Sequence, residues 1–140
     1  MSTREIIEDK IAFVESQIHK ARERYGNIGL AQLKEEPSTQ DALERVLYVV
    51  CQAAIDLAEA VIAYKGFRKP TVMKEAFEIL AEQKIISQTL SEELMKMVGF
   101  RNVLAHVYEG VDIQILHDVL QNKLSNVQDF LGDVTKLLGV

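Results

Sequence analysis

The stretch that decides the fold is VLYVVCQAAIDLAEAVIA, residues 46–63, the longest apolar run of the chain. Three polar residues, Gln52, Asp56 and Glu59, interrupt it, which is too much polarity for a comfortable bilayer span. We expect this helix to begin at Asp41, after the break Pro37-Ser38-Thr39, and to end near Gly66. The run therefore predicts a central, buried helix and no membrane association.

The segments around this run predict further helices. In the first, Ser2 and Glu5 are typical of a capping box, and apolar residues then recur at helical spacing until Gly26. Pro70-Thr71 is expected to start a short third helix, and Thr89 with Glu92 resembles a capping box for a fourth.

The most regular pattern belongs to the last helix, which Asp112 is expected to cap. Its apolar residues alternate by three and four: Ile113, Leu116, Leu120, Leu124, Val127, Leu131, Val134 and Leu138. No segment alternates with the period of a strand, and no repeat or linker divides the chain. The sequence thus predicts an all-α, up-and-down bundle of four to five helices in a single domain, residues 1–140.

Composition limits the classes of function and the compartment. A formal net charge of -5 excludes a protein that coats nucleic acid through bulk positive potential, so any RNA must meet a local site. The single cysteine, Cys51, has apolar neighbours and predicts a buried thiol in a reducing, cytoplasmic setting. His19 and His117 lack partners at metal-ligand spacing, so we expect two surface histidines, no metal and no cofactor.

The densest group of reactive side chains is GFRNVLAHVY, residues 99–108. On a helix at ~100° per residue, Arg101, Asn102, His106 and Tyr108 fall in one arc, and the Asn102 amide can touch the His106 imidazole. The opposite sector is expected to pack into the protein and holds Phe100, Val103, Leu104 and Val107. Histidine exchanges protons near neutral pH and arginine binds phosphate, so the arc suits metal-free phosphoryl chemistry.

This motif carries a family resemblance. Arg101-x-x-x-x-His106 resembles the signature of HEPN ribonucleases, and its extension to Tyr108 resembles the HepT toxins in particular. The central helix with its Asp56, the run at residues 97–102 and the regular last helix are similar to that family too. The resemblance spans nearly the whole chain, which is expected to be one HEPN-like domain.

The resemblance implies a homodimer in which Arg101 and His106 of both subunits form one composite cleft that cuts RNA without metal. It implies that the ribose 2′-hydroxyl attacks the adjacent phosphate, leaving a 2′,3′-cyclic phosphate. In this scheme His106 moves protons, Arg101 stabilises the phosphorane and Asn102 orients the pair.

The HepT resemblance further implies regulation by a partner. Tyr108 would receive AMP from an MntA-like nucleotidyltransferase antitoxin, in a type VII-like toxin–antitoxin pair that can form a larger heteromeric complex. A phosphodiester two residues from His106 would put negative charge and bulk where the RNA phosphate should lie.

A second polar group lies on the central helix, where Arg45, Gln52, Asp56 and Glu59 fall within an arc of ~60°. One hypothesis is that Asp56 faces the motif and orients His106 or Arg101. The alternative, equally supported by the sequence, is a salt-bridged or dimer-facing helix.

Two other functions remain open at this point. One is a non-catalytic HEPN module that binds nucleotide or serves as a scaffold for a nucleotidyltransferase. The other is a plain helical-bundle interaction protein, in which the residues of the motif only cap and pack.

Overall fold

The regular elements are all helical in the computed structural model, which describes residues 3–106 and 111–139. They are α1 (Thr3–Tyr25), α2 (Leu30–Lys34), α3 (Pro37–Lys65), α4 (Glu75–Glu82), α5 (Gln88–His106), α6 (Ile113–Asp118), a π-helical segment (Val119–Lys123) and α7 (Leu124–Leu137). Because α6, the π segment and α7 follow one another without a break, they form one long helix. The predicted all-α bundle of four to five helices is confirmed, with α2 as one additional short turn.

The central helix, α3, organises the core. It packs against α1, α2, α4, α5 and α6, and Leu47, Val50, Leu57, Ala58 and Val61 on it are fully buried. Although α3 is apolar and long enough to cross a membrane, 61% of its most apolar window is buried inside the protein. Its apolar surface is therefore used in the core, as predicted.

Both α1 and α5 run antiparallel to α3. A short connection joins the end of α1 to the start of α3, while Asp9 near the start of α1 shares a groove with Asp56. On α5, Arg101 bonds to Gln52, and the chain beyond α5 reaches the first turns of α3, where the Val111 backbone lies beside the Glu44 carboxylate. A partly exposed face of α3 therefore lies between α1 and α5.

The C-terminal helix closes the bundle, because α7 packs against both α1 and α5. The Asp112 carboxylate accepts a hydrogen bond from the backbone N–H of Gln114 at 2.8 Å, which confirms the predicted cap. The apolar stripe from Leu116 to Leu138 is buried. Phe130 meets Phe77 of α4 edge to face, with ring centroids 5.5 Å apart.

The start of α3 differs from the prediction. The helix begins at Pro37 and not at Asp41, because proline lacks an N–H and is well suited to the first helical position, where that donor has no partner. Asp41 lies exposed in the second turn. The short helix α2, which the sequence did not predict, precedes it.

The starts of α4 and α5 also differ. Helix α4 begins at Glu75 and not at Pro70-Thr71. The carboxylate of Glu75 accepts hydrogen bonds from the backbone N–H and the hydroxyl of Thr71 and holds the preceding segment in a turn. At the start of α5, the Ser87 hydroxyl accepts a hydrogen bond from the backbone N–H of Leu90, so the predicted capping box of Thr89 and Glu92 is wrong. The predicted capping box at Ser2 lies outside the described residues.

The two lone histidines have different surroundings. His19 is exposed near Glu23, as predicted. His117 is half-buried, and its Nε2 lies 2.9 Å from the carbonyl oxygen of Ile28. The prediction of a surface histidine is therefore wrong for His117, which ties α6 to the connection after α1.

Candidate active site

The reactive residues of the 99–108 motif lie at the end of α5, which is helical as far as His106. Arg101 is half-buried, whereas Asn102 and His106 are exposed. Tyr108, and Val107 beside it, lie outside the described residues. The structure thus brings the first part of the motif to the protein surface next to α3.

The Arg101 guanidinium is held by three side chains of its own subunit. Nε donates to Gln52 Oε1 at 2.7 Å, Nη2 donates to the Tyr48 hydroxyl at 3.1 Å, and Nη1 donates to Asn102 Oδ1 at 3.1 Å. The guanidinium carbon also lies 5.2 Å from the centre of the Tyr48 ring. A guanidinium has five N–H groups, so within the described residues one remains on each Nη nitrogen. These two N–H groups are available to an acceptor such as a phosphate oxygen, with which arginine forms charge-assisted hydrogen bonds.

Asp56 reaches Arg101 through Gln52. The Gln52 amide nitrogen donates to Asp56 Oδ1 at 2.9 Å, while its oxygen accepts from Arg101. The carboxylate thereby determines which way the amide points, and the amide holds the guanidinium. Of the two residues that Asp56 was expected to orient, it is Arg101 and not His106 that this chain of bonds reaches.

The Asn102 amide bonds to Arg101, whereas the sequence placed it against His106. Its side-chain oxygen accepts from the neighbouring Arg101, and no hydrogen bond joins it to His106 in the part of the chain that the structure describes. A charged guanidinium is a strong hydrogen-bond donor to an amide oxygen, which favours Arg101 as the partner. Asn102 is therefore associated with the guanidinium.

The predicted packing face of the motif is only partly correct. Phe100 is buried and Leu104 is half-buried, but Val103 is 40% exposed. Helical spacing placed Val103 at the edge of the predicted packing face, and in the structure that edge is left open to solvent. An exposed valine thus lies beside the reactive residues.

A groove of about 360 Å³ adjoins Asp56 between α1 and α3. Its walls are Ile6, Asp9, Lys10, Phe13, Ala53 and Asp56. Ile6 and Phe13 are exposed apolar side chains of α1. The sequence pattern counted Ile6 among the regularly spaced apolar residues of α1 and gave Phe13 no role. At ~100° per residue both lie beside the buried face and not on it.

Tyr48 is the site residue that the sequence analysis missed. It lies on α3 one turn before Gln52, beside the polar stripe, and both its ring and its hydroxyl contact Arg101. Because Tyr48 lies within an apolar run, the sequence pattern alone indicates a core residue. Its spacing could have identified it: Tyr48 is three residues after Arg45 and four before Gln52, so all three lie on one helix face.

Within residues 3–106 and 111–139, no three His, Cys, Asp or Glu side chains gather closely enough to hold a metal ion. The chemistry that this surface offers is therefore that of a fixed guanidinium, an exposed imidazole and the amides beside them.

Comparison with known proteins identifies this arrangement. The model of the family described as Ribonuclease HepT-like matches residues 14–134. The mRNA nuclease HepT of Shewanella oneidensis is 33% identical over 132 residues, which cover 94% of this chain and 97% of that protein. The tRNA nuclease HepT of Aphanizomenon flos-aquae is 27% identical over 107 residues, covering 76% of this chain and 72% of that protein.

A solved structure has the same fold. It contains tri-AMPylated Shewanella oneidensis HEPN toxin in complex with MNT antitoxin. The match has a TM-score of 0.86 at 30% identity and covers 97% of this chain and 99% of that one.

The buried thiol beside the site gives a first test. Burial raises the pKa of Cys51 to about 12, although the nearby Arg101 charge opposes the rise. At pH 9 only about one thiol in a thousand is then ionised. We expect iodoacetamide to alkylate the folded protein at least about 100-fold more slowly than the protein in guanidinium chloride, followed by intact mass. Similar rates in the two states would contradict this burial.

Proposed function

The chain belongs to the HepT-like ribonuclease family, and on that premise we propose that it is the toxin of a type VII-like toxin–antitoxin pair. It is an endoribonuclease whose substrate is RNA and whose partner is an MntA-like nucleotidyltransferase antitoxin. The observation that carries the proposal is the surface-exposed end of α5, where Arg101 keeps two unused N–H groups a turn and a half before an exposed His106.

The proposed reaction is an in-line transfer within the RNA. An imidazole accepts the proton of a ribose 2′-hydroxyl, O2′ bonds to the adjacent phosphorus, and the bond to the 5′-oxygen breaks. A protonated imidazole donates a proton to that leaving oxygen, and the products are a 2′,3′-cyclic phosphate and a 5′-hydroxyl. Arg101 stabilises the charge that grows on the phosphorane oxygens, with Asn102 orienting its guanidinium.

Two copies of the chain make the site complete in this proposal. Residues five apart on a helix point about 140° away from each other, so Arg101 and His106 of one α5 diverge. A twofold axis beside α5 would bring the residues of both subunits to one cleft, with one His106 as base and the other as acid. The exposed Val103 supports a subunit contact at this place.

Replacing Arg101 or His106 tests the catalytic assignment. We expect Arg101→Ala and His106→Ala each to lower RNA cleavage by about 10²- to 10⁴-fold, because each removes charge or proton transfer in the transition state. Expression of the unaltered chain should arrest growth, and expression of either variant should not. Equal growth of all three strains, with no cleavage in vitro, would favour a non-catalytic HEPN module.

The proposed off-switch is AMPylation of Tyr108 by the antitoxin. The supporting observation is that a 30% identical toxin of the same fold is tri-AMPylated in complex with its MNT antitoxin. With a cognate nucleotidyltransferase and ATP, we expect the intact mass to rise in steps of one AMP and cleavage to stop. Tyr108→Phe should abolish both effects, with Tyr64→Phe, an exposed tyrosine of α3, as the control. A mass shift retained in Tyr108→Phe would move the acceptor elsewhere.

Asp56 acts in this proposal as a positioning residue. Without its carboxylate, the Gln52 amide is free to turn and Arg101 loses its Nε partner. We expect Asp56→Ala to lower kcat by about 10- to 100-fold with little change in KM or in the midpoint of unfolding. Glu59→Ala, an exposed carboxylate on the same face of α3, is the matched control. Unchanged kcat with unchanged stability would remove Asp56 from the site.

We assign the protein to the cytoplasm, where RNA and the antitoxin are available. The support is its one buried, unpaired cysteine, which needs no oxidising compartment, and the use of its most apolar helix in the core.

A further inference from the structure

The ring of Tyr48 gathers two arginines. Besides Arg101, whose guanidinium carbon lies 5.2 Å from the ring centre, Arg45 places its guanidinium carbon 5.8 Å from the same centre. Arg45 and Tyr48 are three residues apart on α3 and so lie on one helix face. Two positive charges from different helices therefore flank one aromatic ring.

Arg45 has no carboxylate partner within the residues that the structure describes, and its side chain is exposed. Two other arginines are paired with carboxylates: Arg68 with both Glu75 and Glu82, and Arg4 with Glu8. The Arg45 guanidinium rests on the Tyr48 ring and keeps its N–H groups for another partner. A stacked guanidinium loses little further freedom when it binds an anion.

The charge balance of the chain makes this pair important. A net charge of -5 repels RNA at a distance, so binding must come from cations close to the cleavage site. Arg101 can hold only the phosphate that reacts. A second contact has to come from a cation near it, and Arg45 is joined to it through Tyr48.

We propose that Arg45 binds a second backbone phosphate of the RNA strand, next to the phosphate that Arg101 holds, and that Tyr48 positions both guanidinium groups. This inference rests on the proposed ribonuclease function and adds to it the residue that gives affinity for the strand. Arg101 acts on the transition state, whereas Arg45 acts on binding.

The salt dependence of binding measures this contact directly. For single strands, the slope of log K against log salt changes by about 0.7 for each phosphate contact. Using a 2′-O-methylated RNA, which has no attacking hydroxyl, we expect Arg45→Gln to make the slope less steep by about 0.7. With cleavable RNA at low salt, KM should rise about tenfold, while kcat at saturating RNA stays within about twofold.

The matched control is Lys65→Gln, which removes one exposed positive charge from the same helix about 30 Å away. It should leave the slope unchanged. A slope for Arg45→Gln equal to that of the Lys65 variant would overturn the proposal. Loss of the dimer by Arg45→Gln, with an unchanged slope, would also overturn it, since Arg45 would then contact a second copy.

Two variants of Tyr48 distinguish the role of its hydroxyl from the role of its ring. Tyr48→Phe keeps the ring but loses the hydroxyl that accepts from Arg101, so we expect kcat to fall while the salt slope is retained. Tyr48→Leu loses the ring as well and should both lower kcat and reduce the slope. Equal slopes in the two variants would overturn the positioning role of the ring.

The outcomes also distinguish this inference from the function on which it rests. If the unaltered protein neither binds nor cleaves RNA, the ribonuclease proposal fails. If it cleaves RNA and loses activity with Arg101→Ala, but the Arg45→Gln slope equals that of the unaltered protein, only the second phosphate site fails.

Discussion

A single hydrogen bond between two helices, from Arg101 Nε of α5 to Gln52 Oε1 of α3, is the contact on which the candidate site depends. At 2.7 Å and with a charged donor, it is of the stronger class of hydrogen bonds in proteins. It fixes one edge of the guanidinium, and Tyr48 and Asn102 fix the rest. The guanidinium therefore has little freedom left to lose, so it is preorganised for binding a phosphate.

The bond exists because the central helix is buried on most sides but not on all. α1 and α5 cover two flanks of α3, and the strip between them keeps Tyr48, Gln52 and Asp56 partly exposed. Polar groups in such a strip need partners, since an unpaired buried donor or acceptor costs about 1–3 kcal/mol. They satisfy one another and Arg101, and the buried side-chain polar atoms of the described residues all have partners. The core thereby both stabilises the bundle and orients the reactive arginine.

Much of this could be predicted from residue patterns. Apolar spacing predicted the helices, and the stripe from Leu116 to Leu138 is buried as expected. The helix starts were less accurate: Pro37 rather than Asp41 opens α3, and Ser87 rather than Thr89 caps α5. Several residues near each start can cap a helix equally well, and the direction of the incoming chain decides between them. Val103 and His117 were assigned to the wrong environments for a related reason, because helical spacing shows a face but not whether another element covers it.

The sequence by itself determined the all-α class, the central helix, the buried cysteine and the arginine and histidine of the motif, because periodicity and residue chemistry are local properties. Only the tertiary structure decided that Asp56 reaches Arg101 through Gln52, that Asn102 bonds to Arg101, and that Tyr48 takes part at all. These contacts depend on the rotation and the offset of α5 against α3. That geometry follows from the packing of the whole core, which no single segment encodes.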